Sequence, residues 1–423
     1  MHRRNFDNGL KDQLDALVTV LDLVRSGAAQ TRPELGRRSG LGRTVVTQRV
    51  AELLERGLLE EDGEVGPSTG GRAPRAVRFR AKAGSVLVGE FGATSLAVGL
   101  ADLAGNLIER REEPVGVAIG ADKALERLEG LLDPLVDAAA RLGAPVWGLG
   151  VGLPGPVEFA SGRPVAPPIM PDWDGYPVRE RLSARFDVPV WVDNEVNLMA
   201  LGESRAGVAS GQLDIVYLKI GTGIGAGLVM GGRLHRGAQG CAGDVGHIAI
   251  VDDTTIVCRC GNVGCLEALA GGAAIARQGA LAAAEGRSPF LAELAAAGGS
   301  IDAVAVAHAA AHLDPASVEL LRRAGRLIGE TLATVVNLYN PALVVIGGGV
   351  ANVGEPLLGT IRETVYRRSL ALATRELRIL RSPLGDDAGL TGGALMVIDE
   401  LCSRERIGRW IDHGSPVGRP DLV

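Results

Sequence analysis

Between Asp12 and Arg25 the apolar residues Leu14, Leu17, Val18, Leu21 and Val24 return every three or four positions, which predicts a helix with one buried face. Thr31 followed three residues later by Glu34 is a capping box, and Pro33 falls in the first turn, where its missing N–H costs nothing. A short second helix should run to Arg38. Beyond the connector Ser39-Gly40-Leu41-Gly42, the residues Val46, Val50, Leu53 and Leu54 mark the inner face of a third helix from about Arg43 to Arg56. Leu58-Leu59-Glu60 and Val77-Arg78-Phe79-Arg80 then read as strands flanking a Gly-rich, Arg-bearing loop from Gly63 to Pro74. This is the outline of a winged helix-turn-helix over residues 1–81.

After a short linker, Lys82 to Ser85, the pattern shortens to strand periods. Val86 to Phe91, Leu96 to Leu100 and a third strand after Ala104-Gly105-Asn106 form hairpins, followed by a helix over Ala121 to Leu142 and a buried strand over Val146 to Val151. Trp191-Val192-Asp193 ends another strand and leads into a helix through Met199. The plan then repeats: strand Ile215 to Ile220, a glycine turn, strand Ala226 to Met230, a long helix Val318 to Leu338, and strand Leu343 to Ile346 ending in three glycines. Two such units imply a duplication, with a first α/β lobe over residues 84–195 and a second over 196–388. A helix near 389–402 is expected to pack back on the first lobe, and the polar tail 404–423 to be frayed.

Composition narrows the class. A chain of 423 residues with 46% hydrophobic content can bury large cores. No run of about 18 apolar residues occurs and the amino-terminal stretch breaks every apolar run with charge, so neither membrane insertion nor export is expected. Five cysteines, three of them clustered, point away from a disulfide framework and toward the cytoplasm. The net charge of −6 divides into +3 for residues 1–80 and −9 for the rest, and residues 65–82 hold Arg72, Arg75, Arg78, Arg80 and Lys82 without an acid. A basic stripe at one end of an acidic protein suits an anionic partner. On the third helix, Arg43, Thr44, Thr47 and Gln48 are the residue types that reach phosphates and base edges, with Arg72 and Arg75 placed to anchor the wing. The competing reading is a small helical packing domain with a solvated charged face.

The densest chemistry lies between Gly243 and Glu267. His247, Cys258, Cys260 and Cys265 offer one imidazole and three thiolates, a closed tetrahedral set that suits structural zinc and leaves no open position for a catalytic water. Gly261 and Gly264 supply the tight turns. Three reduced cysteines in a loop is the alternative. The same segment, Asp244-Val245-Gly246-His247 followed by CxCGxxGCxE from Cys258 to Glu267, resembles the ROK family of sugar kinases and sugar-responsive repressors. That resemblance implies the two-lobed actin-like sugar-kinase fold, a duplicated ribonuclease-H-like architecture, over about residues 84–400. It also implies a sugar in the interlobe cleft beside Asp244, where the family usually has Glu, His247 and Glu267.

Other segments extend the resemblance. Gly92 and Thr94 fall in the family's first phosphate loop, Gly221, Thr222, Gly223 and Gly225 in its second, and Gly347-Gly348-Gly349 in its adenosine segment. Each such turn needs glycine for its backbone alone, whatever the ligand. The family's first loop, Asp-x-Gly-Gly-Thr-Lys, reads Glu90-Phe91-Gly92-Ala93-Thr94-Ser95 here, and its catalytic Asn-Asp-x-Asn reads Asn194-Glu195-Val196-Asn197. Glu195 keeps a carboxylate at the base position but displaces it by about an ångström, enough to cost about a hundredfold in rate. Asn194 and Glu195 also read simply as a helix cap and first-turn acid. Because phosphoryl transfer rests on positioning and Mg2+ charge, the changes at Glu90, Ala93 and Glu195 argue against ATP and Mg2+ as working cofactors. The sequence thus reads as a non-catalytic sugar-responsive regulator, with operator DNA, a sugar effector and a second copy of itself (a homodimer or dimer of dimers) as partners. An active kinase with a DNA-binding arm and a zinc-bearing scaffold without a small ligand are the rivals.

Overall fold

The computed structural model describes residues 2–64, 75–351 and 355–423, so Arg72 and the wing tip lie outside the described residues. Three helices come first: α1 (His2–Arg25), α2 (Arg32–Ser39) and α3 (Arg43–Glu55). The first begins ten residues before the apolar stripe, where no proline interrupts the chain. Thr31 caps α2 through its hydroxyl, which accepts from Glu34 N at 3.4 Å, while the Glu34 carboxylate reaches back to Gln30 N at 2.9 Å. Two strands, β1 (Leu59–Glu64) and β2 (Arg75–Phe79), pair antiparallel with Leu59 opposite Phe79.

The next strands are β3 (Ser85–Phe91), β4 (Leu96–Asp102) and β5 (Leu107–Glu113), followed by α4 (Ala121–Arg141), β6 (Val146–Leu153), the short pair β7 (Val157–Glu158) and β8 (Arg163–Pro164), α5 (Val178–Phe186), β9 (Val190–Asn194) and α6 (Glu195–Arg205). Their sheet runs β5-β4-β3-β6-β9, with β3, β6 and β9 parallel. The second unit holds β10 (Ile215–Ile220), β11 (Ile224–Met230), β12 (Arg233–Leu234), α7 (Leu266–Ala270), α8 (Gly272–Ala284), α9 (Pro289–Ala296), α10 (Ala303–Ala311), α11 (Pro315–Tyr339), β13 (Leu343–Gly347), α12 (Glu355–Arg368), α13 (Ala371–Thr374) and β14 (Arg378–Arg381). Its sheet runs β12-β11-β10-β13-β14, the same order and the same senses. The duplication is therefore one of topology.

Strand parity sorts the cores. Val86 and Val88 face α14 (Ala388–Leu401), whereas Leu87 and Phe91 face α4 and α5. In the second sheet Val216, Leu218 and Ile220 face α8 and α11, and Ile215 and Tyr217 face α6. Helices α6 and α14 thus fill the space between the sheets. They touch backbone to backbone, because Gly202 and Gly392 carry no side chain where Ala388 O and Leu198 O pass.

One sequence expectation changes here. Residues 404–423 are not frayed: α15 (Arg404–Trp410) and the turns after it bury Ile407, Trp410, Ile411 and Leu422 in one core with α1 and α14. Four well-spaced apolar residues in an otherwise polar tail suffice, since each fully buried side chain contributes about 1.5–3 kcal/mol. The short linker after Arg80 packs against the first sheet. Ala81 O accepts from Leu103 N at 2.9 Å, Gly84 lies against the Trp147 ring, and the buried Ser85 hydroxyl donates to Ala144 O at 2.8 Å. The amino-terminal helices, first sheet and tail therefore form one packed body.

Candidate functional site

The glycine turn Gly243 (φ 97°) passes so close to Ala226 O that no side chain fits, and it delivers Asp244 and His247 to the cleft. Downstream, the chain doubles back through a bridge between Val257 and Val263, with Cys258 N donating to Asn262 O at 2.8 Å. Gly261 and Gly264 take φ 89° and 68°, and Gly264 meets Val251 O. This brings one donor atom from each of His247, Cys258, Cys260 and Cys265 within 4.8 Å of the others. The set fits zinc by a geometric test. A tetrahedral ion with Zn–S near 2.3 Å and Zn–N near 2.05 Å requires S···S edges of about 3.8 Å and N···S edges of about 3.6 Å. Cys260 Sγ and Cys265 Sγ are 3.8 Å apart, and Cys258 Sγ lies 3.5 Å from His247 Nδ1. Burial and the neighbouring thiols of Cys258 and Cys260 push Cys265 up to about 12.

The His247 ring bridges two environments. With Nδ1 turned to the thiols, Nε2 faces the cleft, 3.9 Å from Asp244 Oδ1. Glu267, in the first turn of α7, accepts from Ile224 N at 3.1 Å and lies 3.4 Å from Arg259. It thereby ties the turn between β10 and β11 to the segment that carries the three cysteines.

On the opposite wall, Asn194 caps α6, accepting from Val196 N and donating to Gly155 O, both at 2.8 Å. Cap and pocket are the same residue. Glu195 is buried and meets Lys219 of β10 across the cleft, with Nζ 2.6 Å from Oε2. Asp193, also buried, accepts from Asn194 N and Asn197 Nδ2 and pairs with Arg236 at 2.7 Å, whose guanidinium stacks 3.7 Å from the centre of the Phe159 ring. Lys219, Arg236 and Asp193 escaped the sequence reading; a lone lysine in the apolar strand IVYLKI was the available signal.

The cleft has two adjoining chambers. Asn194, Glu195, Asp244, His247 and Glu267 line the first, about 130 Å³. Gly92, Thr94, Gly221, Thr222 and the Gly348-Gly349 turn line the second, about 470 Å³, while Gly223 and Gly225 face the first. The phosphate-loop residues are thus divided between the two. In the turn itself, Gly221 N donates to Gly223 O and Ile224 N to Glu267, and the Gly221 and Thr222 carbonyls receive the first N–H groups of α8. Glu90, at the aspartate position of the first loop, packs on Gly389 at the start of α14; burial, reinforced by Glu195, pushes it up to about 8.

Of the residues read as DNA-contacting, Arg43, Thr44, Thr47 and Gln48 share the exposed side of α3 while Val46, Val50 and Leu53 are buried. Arg75 is exposed and pairs with Glu61 at 3.3 Å, which also holds Arg32 at 2.5 Å.

A sequence profile described as the ROK family matches residues 88–400. The chain belongs to this family. A putative xylose repressor from Caldicellulosiruptor sp. (strain Rt8B.4) is 30% identical, covering 93% of this chain and 98% of its own. Among solved structures, a ROK family transcriptional regulator described as a homolog of the E. coli MLC protein superposes with TM-score 0.80 at 25% identity, covering 95% of this chain and 99% of its own. A ROK family glucokinase from Streptomyces griseus, solved with glucose and AMPPNP, superposes with TM-score 0.65 at 30% identity. It covers 99% of itself but 74% of this chain, so about a quarter of the chain has no counterpart in that kinase.

Proposed function

We propose that this ROK protein is a sugar-responsive transcriptional repressor: a homodimer that binds operator DNA through α3 and the β1–β2 wing and changes its operator affinity when a sugar enters the first chamber. The observation that carries this reading is coverage. The repressor and regulator relatives cover 93% and 95% of the chain, enough to reach into the amino-terminal helices, whereas the glucokinase covers 74%. In this reading Asn194, Glu195, Asp244, His247 and Glu267 contact the sugar, and zinc held by His247, Cys258, Cys260 and Cys265 fixes the chamber wall. Zinc would supply no chemistry beyond holding its four ligands. The pocket is a sensor without turnover, because Glu195 is engaged by Lys219 and Glu90 is withdrawn against α14. Among the described residues no helix is long and apolar enough to cross a membrane; the protein would act in the cytoplasm.

The test is a mobility-shift titration with DNA from upstream of the protein's own gene, with and without sugars, xylose first among them, alongside an ATP-turnover assay on the same panel. A sugar that alters the DNA affinity without consuming ATP supports the reading. Turnover of ATP at ordinary kinase rates, about 1–100 per second, would overturn the sensor assignment.

A further inference from the structure

Lys219 stands at the boundary of the two chambers and lines both. It lies on the face of β10 that meets α6, so its ammonium reaches the Glu195 carboxylate rather than solvent; the two side chains are 18% and 8% exposed. A sugar hydroxyl placed against Glu195 would also lie within reach of Lys219, donating its proton to one and accepting from the other.

Among the described residues, the second chamber, into which a group carried on that hydroxyl would project, is lined by Glu90, Glu112, Glu195, Asp302 and Asp386 against Arg110 and Lys219. Both cations are committed. Arg110 holds Glu112 at 2.7 Å and Asp387 at 3.1 Å, and Lys219 holds Glu195. Even with Glu90 counted as neutral, four carboxylates remain. A phosphate there would lose its hydration and meet a negative field with no free cation to receive it.

We infer that the effector is an unphosphorylated sugar, clamped by one hydroxyl between Lys219 and Glu195, and that a phosphate ester at that hydroxyl is excluded by the acidic second chamber. This rests on the reading of the first chamber as a sugar site and names the class of sugar. Lys219 becomes a specificity-determining residue.

The experiment is calorimetric titration of the full chain with glucose and xylose and with glucose 6-phosphate and glucose 1-phosphate. A neutral sugar should bind, and at least one of the two esters, the one substituted at the clamped hydroxyl, at least tenfold more weakly than glucose. Lys219→Met should weaken the neutral sugar at least tenfold with an intact melting transition, while Lys219→Arg stays within about threefold. In Glu112→Gln/Asp386→Asn, which removes two of the lining acids and leaves Arg110 with Asp387 as its one remaining partner, ester affinity should recover threefold or more. Both esters binding as tightly as glucose, unchanged affinity in folded Lys219→Met, or no recovery of the weakened ester in the double variant overturns the inference and leaves the sugar site standing. Failure of every sugar and ester to bind would remove the sugar reading itself, and this inference with it.

Discussion

The Glu90 carboxyl offers a perturbation whose size follows from the structure. It is buried at the end of β3 against Gly389, with Oε2 lacking a hydrogen-bond partner, and is pushed up from 4.5 to about 8. An acid whose folded-state value is raised takes up a proton on folding, so its cost is absent below pH 4.5 and grows as pH rises toward 8. At about 1.36 kcal/mol per unit, the cost is roughly 1 kcal/mol at pH 5 and about 5 kcal/mol at pH 9. Glu90→Gln keeps the shape and removes the titration. Its stability relative to the parent should therefore climb with pH, by at most about 4 kcal/mol between pH 5 and 9. Urea unfolding followed by tryptophan fluorescence is the suitable assay, because Trp147, Trp173, Trp191 and Trp410 all sit in the cores that surround the first sheet. A difference between the two proteins that stays constant from pH 5 to 9 would refute the reasoning.

Further outcomes follow from other contacts. The purified protein should hold one zinc per chain, and Cys260→Ser or chelation should lower sugar affinity about 10- to 100-fold; full sugar binding by metal-free protein would remove zinc from the chamber wall. Gln48→Ala should change base preference at a cost of about 1–3 kcal/mol, whereas Arg75→Ala should lower the salt slope of binding by about one; parental behaviour in both would displace α3 from the groove. Asp399 joins Arg25 of α1 at 2.7 Å to Arg205 of α6 at 2.8 Å. Asp399→Asn should destabilise the amino-terminal unit by about 1–3 kcal/mol and reduce the effect of sugar on DNA affinity, measured by mobility shift; an undiminished sugar effect would exclude this link.

What the sequence disclosed, and what it hid, divides by range. Parity in strands such as Val86 to Phe91, the capping box at Thr31 and the turns at Gly261 and Gly264 are local, and each pattern has one physical cause that acts within a few residues. The cluster of His247, Cys258, Cys260 and Cys265 was legible because the spacing of the thiols is itself distinctive. Lys219 was not, since a lysine in an apolar strand acquires meaning only when Glu195, on the far wall, faces it. The tail failed for the same reason: Trp410 is a core residue only because Trp147 stacks edge-on against it, 5.3 Å away. The acidity of the second chamber likewise comes from residues on β3, β5, α6 and the segments before α10 and α14.

The packing of the amino-terminal unit constrains how sugar could act on DNA. Because α1, α14 and α15 share one core with the first sheet, closure of the cleft moves the second lobe and leaves the DNA-binding helices fixed on the first. Two such helices would change their separation on closure only if the copies are joined through their second lobes. That lobe carries Leu338, Leu370 and Leu372 at 88%, 70% and 73% exposure, with Tyr366 beside them, and Leu370 N held by Asn337 at 3.0 Å groups them at one end of α11. Such a cluster of exposed large apolar side chains is what a contact between copies would cover. Leu370→Glu/Leu372→Glu should therefore shift the protein toward monomer in sedimentation velocity and weaken operator binding, while sugar affinity stays within about threefold. The cleft is built by a single chain, so only the pairing of the DNA-binding units is lost. A double variant that remains dimeric and still releases or tightens on DNA with sugar would place the contact elsewhere, and cleft closure would then need another route to the operator.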